Sequence, residues 1–210
     1  MSISYCISVC DEDKEFNKLL EQLIPHIDAE DEIIILVDES KVTTEVGQVI
    51  AKWKTVFPLE VIATSLNGDF STFKNNFIGK ATKDFLWQLD ADEGVCDELL
   101  VDIKLIIEAN PNIDLYWISR ENYVEGIKER PDLIAKWGWK IDEKDRINYN
   151  DPQSRIFRNN KSICWINKVH EQIVGHKEFS VLPQNYYLIH NKSLERQIEQ
   201  NEMYASIKAS

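Results

Sequence analysis

The sequence predicts an α/β fold in which helices flank a central, mostly parallel sheet. Short apolar runs alternate along the chain with helical patterns, as expected for successive strand–helix–strand units. The run Ile33–Val37 is continuously apolar, which is typical of a strand covered on both faces and therefore of a parallel sheet. Two of these runs end in acidic residues, at the sheet edge where open α/β sheets bind their ligands.

The first half of the chain supplies the regular part of the predicted sheet. Its first helix begins after Asp11, places Phe16, Leu19 and Leu23 on one face, and is closed by Pro25. The third helix has Ser71 as its expected N-cap. The predicted strands are Ile3–Val9, Ile33–Val37, Leu59–Ala63 and Phe85–Leu89, and the second and third predicted helices lie at 42–56 and 71–81.

The second half is less regular. Asn110-Pro111 stops a predicted helix at about 97–108, and a strand is predicted at Asp114–Ser119. Residues 120–150 mix aromatic and charged side chains with little periodicity, which indicates a functional, ligand-facing segment. The helix predicted from about 192 has no stop signal, which suggests that the natural polypeptide continues beyond Ser210. Short strand-like pieces are predicted between these segments at 154–158, 162–166, 169–174, 179–182 and 186–190.

Composition and charge exclude several classes of protein. The net charge of −12 argues against a nucleic-acid-binding protein, because phosphate backbones require a basic surface. The N-terminus has no basic start, so no signal peptide is expected, and no segment approaches the roughly 20 apolar residues of a membrane span. The four cysteines lack the spacing of a zinc site. We therefore expect a soluble, cytoplasmic protein with reduced thiols, peripheral to a membrane at most.

The usual phosphate-binding loops of α/β proteins are absent from the sequence. No G-x-G-x-x-G follows a strand, and no G-x-x-x-x-G-K-[S/T] occurs. Neither a Rossmann dehydrogenase nor a P-loop NTPase is therefore indicated. A nucleoside diphosphate bound here would need a metal ion to hold it.

Asp90 and Asp92 follow directly on the apolar run Phe85–Leu89. In extended chain their side chains point the same way, and two carboxylates at the end of a buried strand suit a hard divalent cation. The alternative is a solvated acidic turn that begins the next helix, since acidic residues are common at helix starts.

Further motifs occur in a fixed order along the chain. They are Asp38–Ser40, Asp69–Asn75, Leu89–Glu93, Arg120–Tyr123, Gln153–Arg158, Trp165–Glu171 and Ile189–Lys192. Together they resemble the nucleotide-sugar glycosyltransferases of the GT-A fold, and glycosyltransferase family 2 among them. The resemblance covers nearly the whole chain. It implies one Rossmann-like domain, 1–210, with a nucleotide-sugar-binding half at 1–93 and an acceptor-side half at 94–210.

The resemblance also implies roles for the acidic residues. Asp38 matches the acid that hydrogen-bonds the nucleotide base, although a helix N-cap is an equal alternative. Asp90 and Asp92 match the D-x-D pair that holds the nucleotide sugar and Mn²⁺ or Mg²⁺, and His190 matches a late histidine that completes the metal site. Glu93 matches an acid next to the pair, or could begin a helix.

Two basic residues are assigned to the nucleotide sugar. Lys74 stands where the family usually has an arginine before Asn75, so it keeps the charge but loses the bidentate fork. A lysine on the protein surface is the competing and favoured interpretation. Arg155 and Arg158 lie three residues apart, hence on opposite faces of a regular strand, and we expect one of them, Arg155, to meet ligand phosphate.

Glu171 is the expected general base, since an inverting transfer requires a carboxylate to take the acceptor's hydroxyl proton. Val169 and Ile173 suggest an apolar setting that would raise its pKa. Asp151 and Glu121 are alternatives, and a retaining mechanism stays open.

Trp137-Gly138-Trp139 supplies two flat apolar rings within the irregular segment. Such rings match the C–H faces of sugars, so sugar stacking is one interpretation, and packing of the core or of a lid is the other.

The predicted function is metal-dependent transfer of a hexose from a nucleoside-diphosphate sugar to a hydroxyl group of a glycan or lipid-linked acceptor. The expected donor is a UDP-sugar such as UDP-glucose. One alternative is a nucleotidyltransferase that forms the sugar nucleotide, although Ser8–Glu12 lacks the glycine-rich basic loop of such enzymes. The other is a non-catalytic module that binds carbohydrate or nucleotide.

Overall fold

The computed structural model describes residues 1–209, with side chains described through Ile207. Its strands are β1 (Ile3–Val9), β2 (Glu32–Asp38), β3 (Leu59–Thr64), β4 (Phe85–Asp90), β5 (Glu93–Val95), β6 (Leu115–Glu125), β7 (Asp151–Arg158), β8 (Cys164–Ile166), β9 (Gln172–Val174), β10 (Phe179–Val181) and β11 (Tyr187–Ser193). Its α-helices are α1 (Asp13–Leu23), α2 (Thr44–Trp53), α3 (Phe70–Lys74), α4 (Asp97–Ala109), α5 (Pro131–Trp137) and α6 (Leu194–Ala209).

Most strands of the described chain join one mixed sheet in the order β3-β2-β1-β4-β7-β6-β11-β5. The first four are parallel, whereas β7 runs antiparallel to both of its neighbours. The long strand β6 pairs along one side first with β10 and then with β11. A separate hairpin joins β8 and β9. The predicted α/β class with a mostly parallel, helix-flanked sheet is confirmed.

The strand order reverses beside β1. The chain moves outward from β1 to β2 and β3, and then returns to place β4 on the other side of β1. Ligands of open α/β sheets bind at such a reversal, outside the carboxyl ends of the strands. Residues Val9, Asp38 and Asp90 end the three strands that meet there.

Two apolar layers cover the sheet. On one face Ile3, Tyr5 and Ile7 of β1 pack with α1, α2 and α4, and on the other Cys6 packs with α3 and the β8–β9 hairpin. Side chains of one strand alternate between these layers because successive residues of a strand point to opposite faces. Burying each large apolar side chain contributes about 1.5–3 kcal/mol to folding. A continuously apolar run such as Ile33–Val37 is therefore most stable in a central strand, where both faces are covered.

The predicted helix starts are wrong in two places. Helix α1 begins at Asp13 with Glu12 rather than Asp11 at the N-cap position. Helix α3 begins at Phe70, and the side chain of Asp69, not Ser71, accepts a hydrogen bond from the backbone N–H of Thr72. The cap shifts because Asp69 also accepts hydrogen bonds from the hydroxyls of Ser71 and Thr72, so one carboxylate satisfies three donors of the first turn.

The segment 120–150 is more regular than its sequence predicts. Strand β6 continues to Glu125 through half-buried polar residues, and α5 follows, ended by Gly138 in the left-handed region with a φ of 66°. This continuation of β6 was not predicted because its polar side chains face the ligand cavity instead of the core. No helix among the described residues is both long and apolar enough to cross a bilayer.

Candidate functional site

The carboxyl ends of β1, β2 and β4 open into a cavity of about 790 Å³, within the range of about 300–1,000 Å³ that is usual for small-ligand sites. The remaining walls come from α3, β6 and β7, from the loops before β7 and β9, from the end of β11 and from one side of α6. Seven residues to which the sequence analysis assigned a nucleotide, metal or catalytic role line this cavity: Asp38, Lys74, Asp90, Asp92, Arg155, Glu171 and His190.

Both carboxylate oxygens of Asp90 accept hydrogen bonds. Its Oδ1 accepts hydrogen bonds from Ser8 Oγ at 2.8 Å and Gln88 Nε2 at 2.9 Å. Its Oδ2 accepts from Arg155 Nη2 at 3.0 Å, and the Nζ of Lys74 lies 3.3 Å from Oδ1. Burial by itself would raise the pKa of Asp90, but the cations of Lys74 and Arg155 outweigh it and hold this pKa well below its usual value. Asp90 is therefore ionised and paired with two cations.

Glu93 extends the same network. It is buried in β5, where its carboxylate accepts hydrogen bonds from Arg155, from Arg120 Nη1 at 3.2 Å and from the backbone N–H of Asp90 at 3.1 Å. The alternative that Glu93 begins a helix is wrong, because α4 begins four residues later, at Asp97. Burial penalises unpaired charge, so removing either the arginines or the carboxylates would leave a destabilising buried charge.

Lys74 is not a surface lysine. Its side chain is only 5% exposed, and its Nζ lies 2.6 Å from Glu171 Oε1 as well as 3.3 Å from Asp90. The surface interpretation fails because α3 ends against the loop that carries Glu171, which encloses the ammonium between two carboxylates. Sequence periodicity could not show this contact, since Glu171 lies 97 residues further along the chain.

The expected rise in the pKa of Glu171 is also wrong. Burial does act to raise this pKa, but the adjacent ammonium of Lys74 outweighs it, and the pKa lies below its usual value. The error came from reading only the neighbours in sequence, Val169 and Ile173. Among the alternative bases, Asp151 lines the cavity and pairs with Arg120.

Asp92 faces a different set of partners. His190 Nε2 lies 3.2 Å from Asp92 Oδ2, and Lys192 Nζ lies 3.4 Å from the same oxygen. Burial opposes ionisation of Asp92, but the charge of His190 and its hydrogen bond lower the pKa overall, with Lys192 assisting. Within the described chain, Oδ1 of Asp92 makes no hydrogen bond. Asp92 thus keeps one carboxylate oxygen available to a ligand.

The donor set of Asp92 and His190 fits a divalent cation. Two adjacent ligands of an octahedral ion with bonds of about 2.1 Å lie about 3 Å apart, close to the 3.2 Å between Asp92 Oδ2 and His190 Nε2. The described residues contain no group of three or more His, Cys, Asp or Glu side chains that could hold a metal. Oxygen atoms of a diphosphate and of water would have to fill the other positions, as is common for Mg²⁺ sites.

Asp38 ends β2 at the cavity wall. Its Oδ1 accepts hydrogen bonds from Ser40 Oγ at 2.7 Å and from the backbone N–H of Ser40 and Leu66. The N-cap alternative is wrong, because Thr43 caps α2. Oδ1 thus fixes the turn after β2 while the same buried side chain lines the cavity.

The two tryptophans differ in what they contact. Their ring centroids lie 4.6 Å apart, and both rings pack on the apolar cluster that contains Val124, Leu133 and Ile147. Trp139 lines the cavity as well. Packing therefore accounts for Trp137, whereas Trp139 is placed for both roles.

Helix α6 crosses one side of the cavity. Arg196 pairs with Asp11 at 2.8 Å and with Glu12, next to the end of β1. About two helical turns further on, the ring of Tyr204 contacts Phe70 edge-on, with their centroids 5.8 Å apart. Burial and then the charge of Glu171 raise the pKa of Tyr204 to about 12, so its hydroxyl stays protonated at neutral pH.

Among the polar side chains that line the site, the sequence analysis assigned no role to Arg120, Asn122 and Lys192. Arg120 and Asn122 are two residues apart in β6, so alternation along that strand would have placed both on one face. Lys192 stands two residues after His190 and could have been found in the same way.

Comparison with known proteins identifies relatives of this chain. A family model described as "Glycosyl transferase family 2" matches residues 4–168. An uncharacterized protein of Sinorhizobium fredii, y4gI, is 28% identical over 117 residues, which are 55% of this chain and 13% of that protein.

Similar architectures occur among solved structures. Residues 1–349 of TarS from S. aureus, in complex with UDP-GlcNAc, superpose with a TM-score of 0.65 at 18% identity, covering 91% of this chain and 59% of that one. The complex of the same protein with UDP gives a TM-score of 0.63 at 18% identity, with 99% and 65% covered. This chain therefore spans less than two thirds of the length of these relatives, and the likeness to TarS is one of fold.

Proposed function

This chain belongs to glycosyl transferase family 2 and is a glycosyltransferase with the GT-A fold, and we propose that it transfers a hexose from a UDP-linked sugar to a hydroxyl group of a glycan or lipid-linked acceptor. Neither a nucleotidyltransferase nor a non-catalytic module accords with that family. We retain the division of a single domain into a donor half, 1–93, and an acceptor half, 94–210, as part of the proposal.

One observation carries the choice of donor. A single cavity at the reversal of strand order joins Asp38 at the end of β2 to the pair Asp92 and His190. Asp38 would accept a hydrogen bond from the nucleotide base, and Asp92 and His190 would bind Mn²⁺ or Mg²⁺. UDP is the first nucleotide to test, because the TarS structures of similar fold contain UDP-GlcNAc and UDP.

The metal ion, when bound, would stabilise the negative charge of the departing diphosphate. We propose Asp92 and His190 as its protein ligands. The further prediction that Asp90 also binds the metal requires Lys74 or Arg155 to release that carboxylate first. In the arrangement seen here Asp90 instead holds these two cations at the cavity wall, where Lys74 and Arg155 would meet the diphosphate.

We propose Glu171 as the general base for the acceptor hydroxyl. It lines the cavity, and only its Oε1 is bonded to Lys74 within the described chain. A phosphate that attracts Lys74 would weaken this ion pair and make Glu171 more basic. Asp151 is the competing carboxylate, but three side chains already donate to it, among them Arg120 twice.

The base assignment is tested by Glu171→Gln and Asp151→Asn in an assay of UDP release from a UDP-sugar with a panel of acceptors. We expect Glu171→Gln to lower kcat by about 10²–10⁴-fold, the usual contribution of general base catalysis, with little change in donor affinity. A larger loss for Asp151→Asn than for Glu171→Gln would move the base to Asp151.

The donor and the metal are tested by calorimetric titration of UDP, GDP and CMP into the chain, with and without Mn²⁺. We expect UDP to bind, and to bind only with the metal. Preference for GDP would change the donor class, and metal-independent binding of UDP would refute the site at Asp92 and His190.

A further inference from the structure

Tyr204 of α6 contacts both segments that carry the ion pair of Lys74 and Glu171. Its ring lies edge-on to that of Phe70, one helical turn before Lys74 in α3, with the ring centroids 5.8 Å apart. It also lies edge-on to the ring of His170, the neighbour of Glu171, at 5.6 Å. We infer that Tyr204 is an acceptor-binding residue, whose hydroxyl donates a hydrogen bond to a sugar hydroxyl of a glycan acceptor beside Glu171. This inference rests on the proposed function, since it names the acceptor class of the same site.

A chain of hydrogen bonds leads from Lys192 to the hydroxyl of Tyr204. Lys192 Nζ donates to Gln200 Oε1 at 2.9 Å, and Gln200 Nε2 lies 3.1 Å from the hydroxyl oxygen of Tyr204. An ammonium group only donates, so it fixes the carbonyl oxygen of Gln200 towards Lys192 and the NH₂ group towards Tyr204. The hydroxyl oxygen of Tyr204 is therefore the acceptor in its contact with Gln200.

The proton of the Tyr204 hydroxyl stays free. Within the part of the chain whose side chains are described, this hydroxyl donates to no residue. Burial and then the charge of Glu171 raise its pKa to about 12, so the hydroxyl keeps this proton at neutral pH. Tyr204 lines the cavity, and a ligand in the cavity can therefore accept the free proton.

Glu171 provides the complementary group. Its Oε1 pairs with Lys74, whereas its Oε2 accepts no hydrogen bond from another residue of the described chain. Hydroxyl groups both donate and accept, so two adjacent hydroxyls of one sugar ring can accept from Tyr204 and donate to Glu171. An anionic group has no proton for Glu171, which favours a neutral sugar. Gln197 and Asn201 of the same helix also line the cavity and add amide groups, which both donate and accept.

The experiment measures UDP release at increasing concentrations of methyl hexosides and oligosaccharides. The donor is whichever of UDP-glucose, UDP-galactose and UDP-N-acetylglucosamine gives the highest rate. Tyr204→Phe keeps the ring and removes only the hydroxyl, and it should raise the KM for the acceptor about 10-fold, with kcat changed by less than about 2-fold. The affinity for UDP with Mn²⁺ should not change. Tyr186→Phe is the matched control, because it removes a hydroxyl that donates to Asp102 away from the cavity, and it should leave KM unchanged.

Gln200→Glu tests the direction of the hydrogen bonds, which a packing role of Tyr204 would not depend on. The introduced carboxylate still accepts from Lys192, but it has no N–H group and so accepts the proton of Tyr204 as well. This substitution should therefore raise the KM for the acceptor about as much as Tyr204→Phe, although the hydroxyl is still present. The double variant should have the same KM as each single variant, because both remove one and the same contact.

Three results would overturn the inference. They are an unchanged acceptor KM in Tyr204→Phe, a wild-type KM in Gln200→Glu, and a panel in which no sugar stimulates UDP release. Weaker binding of the UDP-sugar but not of UDP to Tyr204→Phe would also contradict it, because the hydroxyl would then contact the hexose of the donor. Failure of the proposed function has a different signature, since the wild type would show no metal-dependent binding of UDP.

Discussion

The surroundings of Asp90 and Asp92 differ although the two residues belong to one short motif. In the Asp90 cluster, formed by Asp90, Glu93, Lys74, Arg155 and Glu171, two buried cations are shared among three carboxylates, and both oxygens of Asp90 accept hydrogen bonds. In the Asp92 cluster, formed by Asp92, His190, Lys192 and Asn122, one carboxylate oxygen of Asp92 has no partner within the described chain.

This difference separates two tasks that the motif alone does not distinguish. A carboxylate surrounded by fixed cations stabilises the fold and aligns those cations, whereas a carboxylate with an unpaired oxygen beside an imidazole can bind a metal ion. We therefore propose that the Asp90 cluster forms the wall of the site and that the Asp92 cluster binds the metal. The substitutions below test this division, beginning with the largest expected effect.

Arg155→Met should destabilise the protein by about 3–5 kcal/mol, the usual cost of breaking a buried ion pair. The reason is that Asp90 and Glu93 would keep their charges without their shared guanidinium. Chemical denaturation followed by circular dichroism measures the loss. Arg158→Met, on the same strand but with a 30% exposed side chain, is the matched control and should cost about 1 kcal/mol. Equal losses in the two variants would show that the Asp90 cluster is not special.

Asp92→Asn should weaken binding of UDP in the presence of Mn²⁺ by about 100-fold or more, since it removes a charged metal ligand. The free energy of unfolding should change by about 1 kcal/mol or less, because the amide oxygen can still accept from His190 and Lys192. Calorimetry and denaturation measure the two effects. Asp97→Asn, at the exposed start of α4, should leave both unchanged. Full metal-dependent affinity in Asp92→Asn would exclude Asp92 as a ligand.

Asp90→Asn should affect stability more than nucleotide binding, which is the opposite of Asp92→Asn. The free energy of unfolding should fall by about 2 kcal/mol at pH 7, as expected for charged hydrogen bonds. The folded pKa of Asp90 is depressed, so its contribution is complete above the unfolded value of about 3.9 and is lost as the pH falls through the folded pKa. The difference in stability between wild type and variant should therefore narrow below about pH 4. Denaturation curves at several pH values measure it, and a constant difference down to acid pH would contradict the assignment.

Lys192→Met should increase the affinity for Mn²⁺ in the absence of nucleotide by about 10-fold, the smallest effect expected here. The ammonium of Lys192 lies 3.4 Å from the carboxylate that the metal would bind, and its removal leaves more negative potential for the ion. Titration of Mn²⁺ alone measures the change. Lys128→Met removes an exposed lysine paired with Asp145 and should have no effect. Weaker Mn²⁺ binding in Lys192→Met would show that Lys192 supports the metal site instead of competing with it.

Prediction from the sequence was most accurate where local pattern and burial agree. The strand predicted at Ile3–Val9 is found with the same bounds, and Phe85–Leu89 differs from β4 by one residue. Both strands lie under helices on each face, so nearly every side chain had to be apolar. The polar half of β6, residues 120–125, was missed because half of its side chains serve the site instead of the core.

The sequence by itself determined the fold class, the order of the motifs and seven of the residues that line the cavity. Only the tertiary structure decided how those residues are paired: that Lys74 is buried between Asp90 and Glu171, that the pKa of Glu171 is lowered, and that Asn122 stands behind His190. The physical reason is the range of each interaction. Hydrophobic periodicity depends on residues that are close in sequence. The partners of charges and hydrogen bonds lie on distant strands, which the register of the sheet brings together.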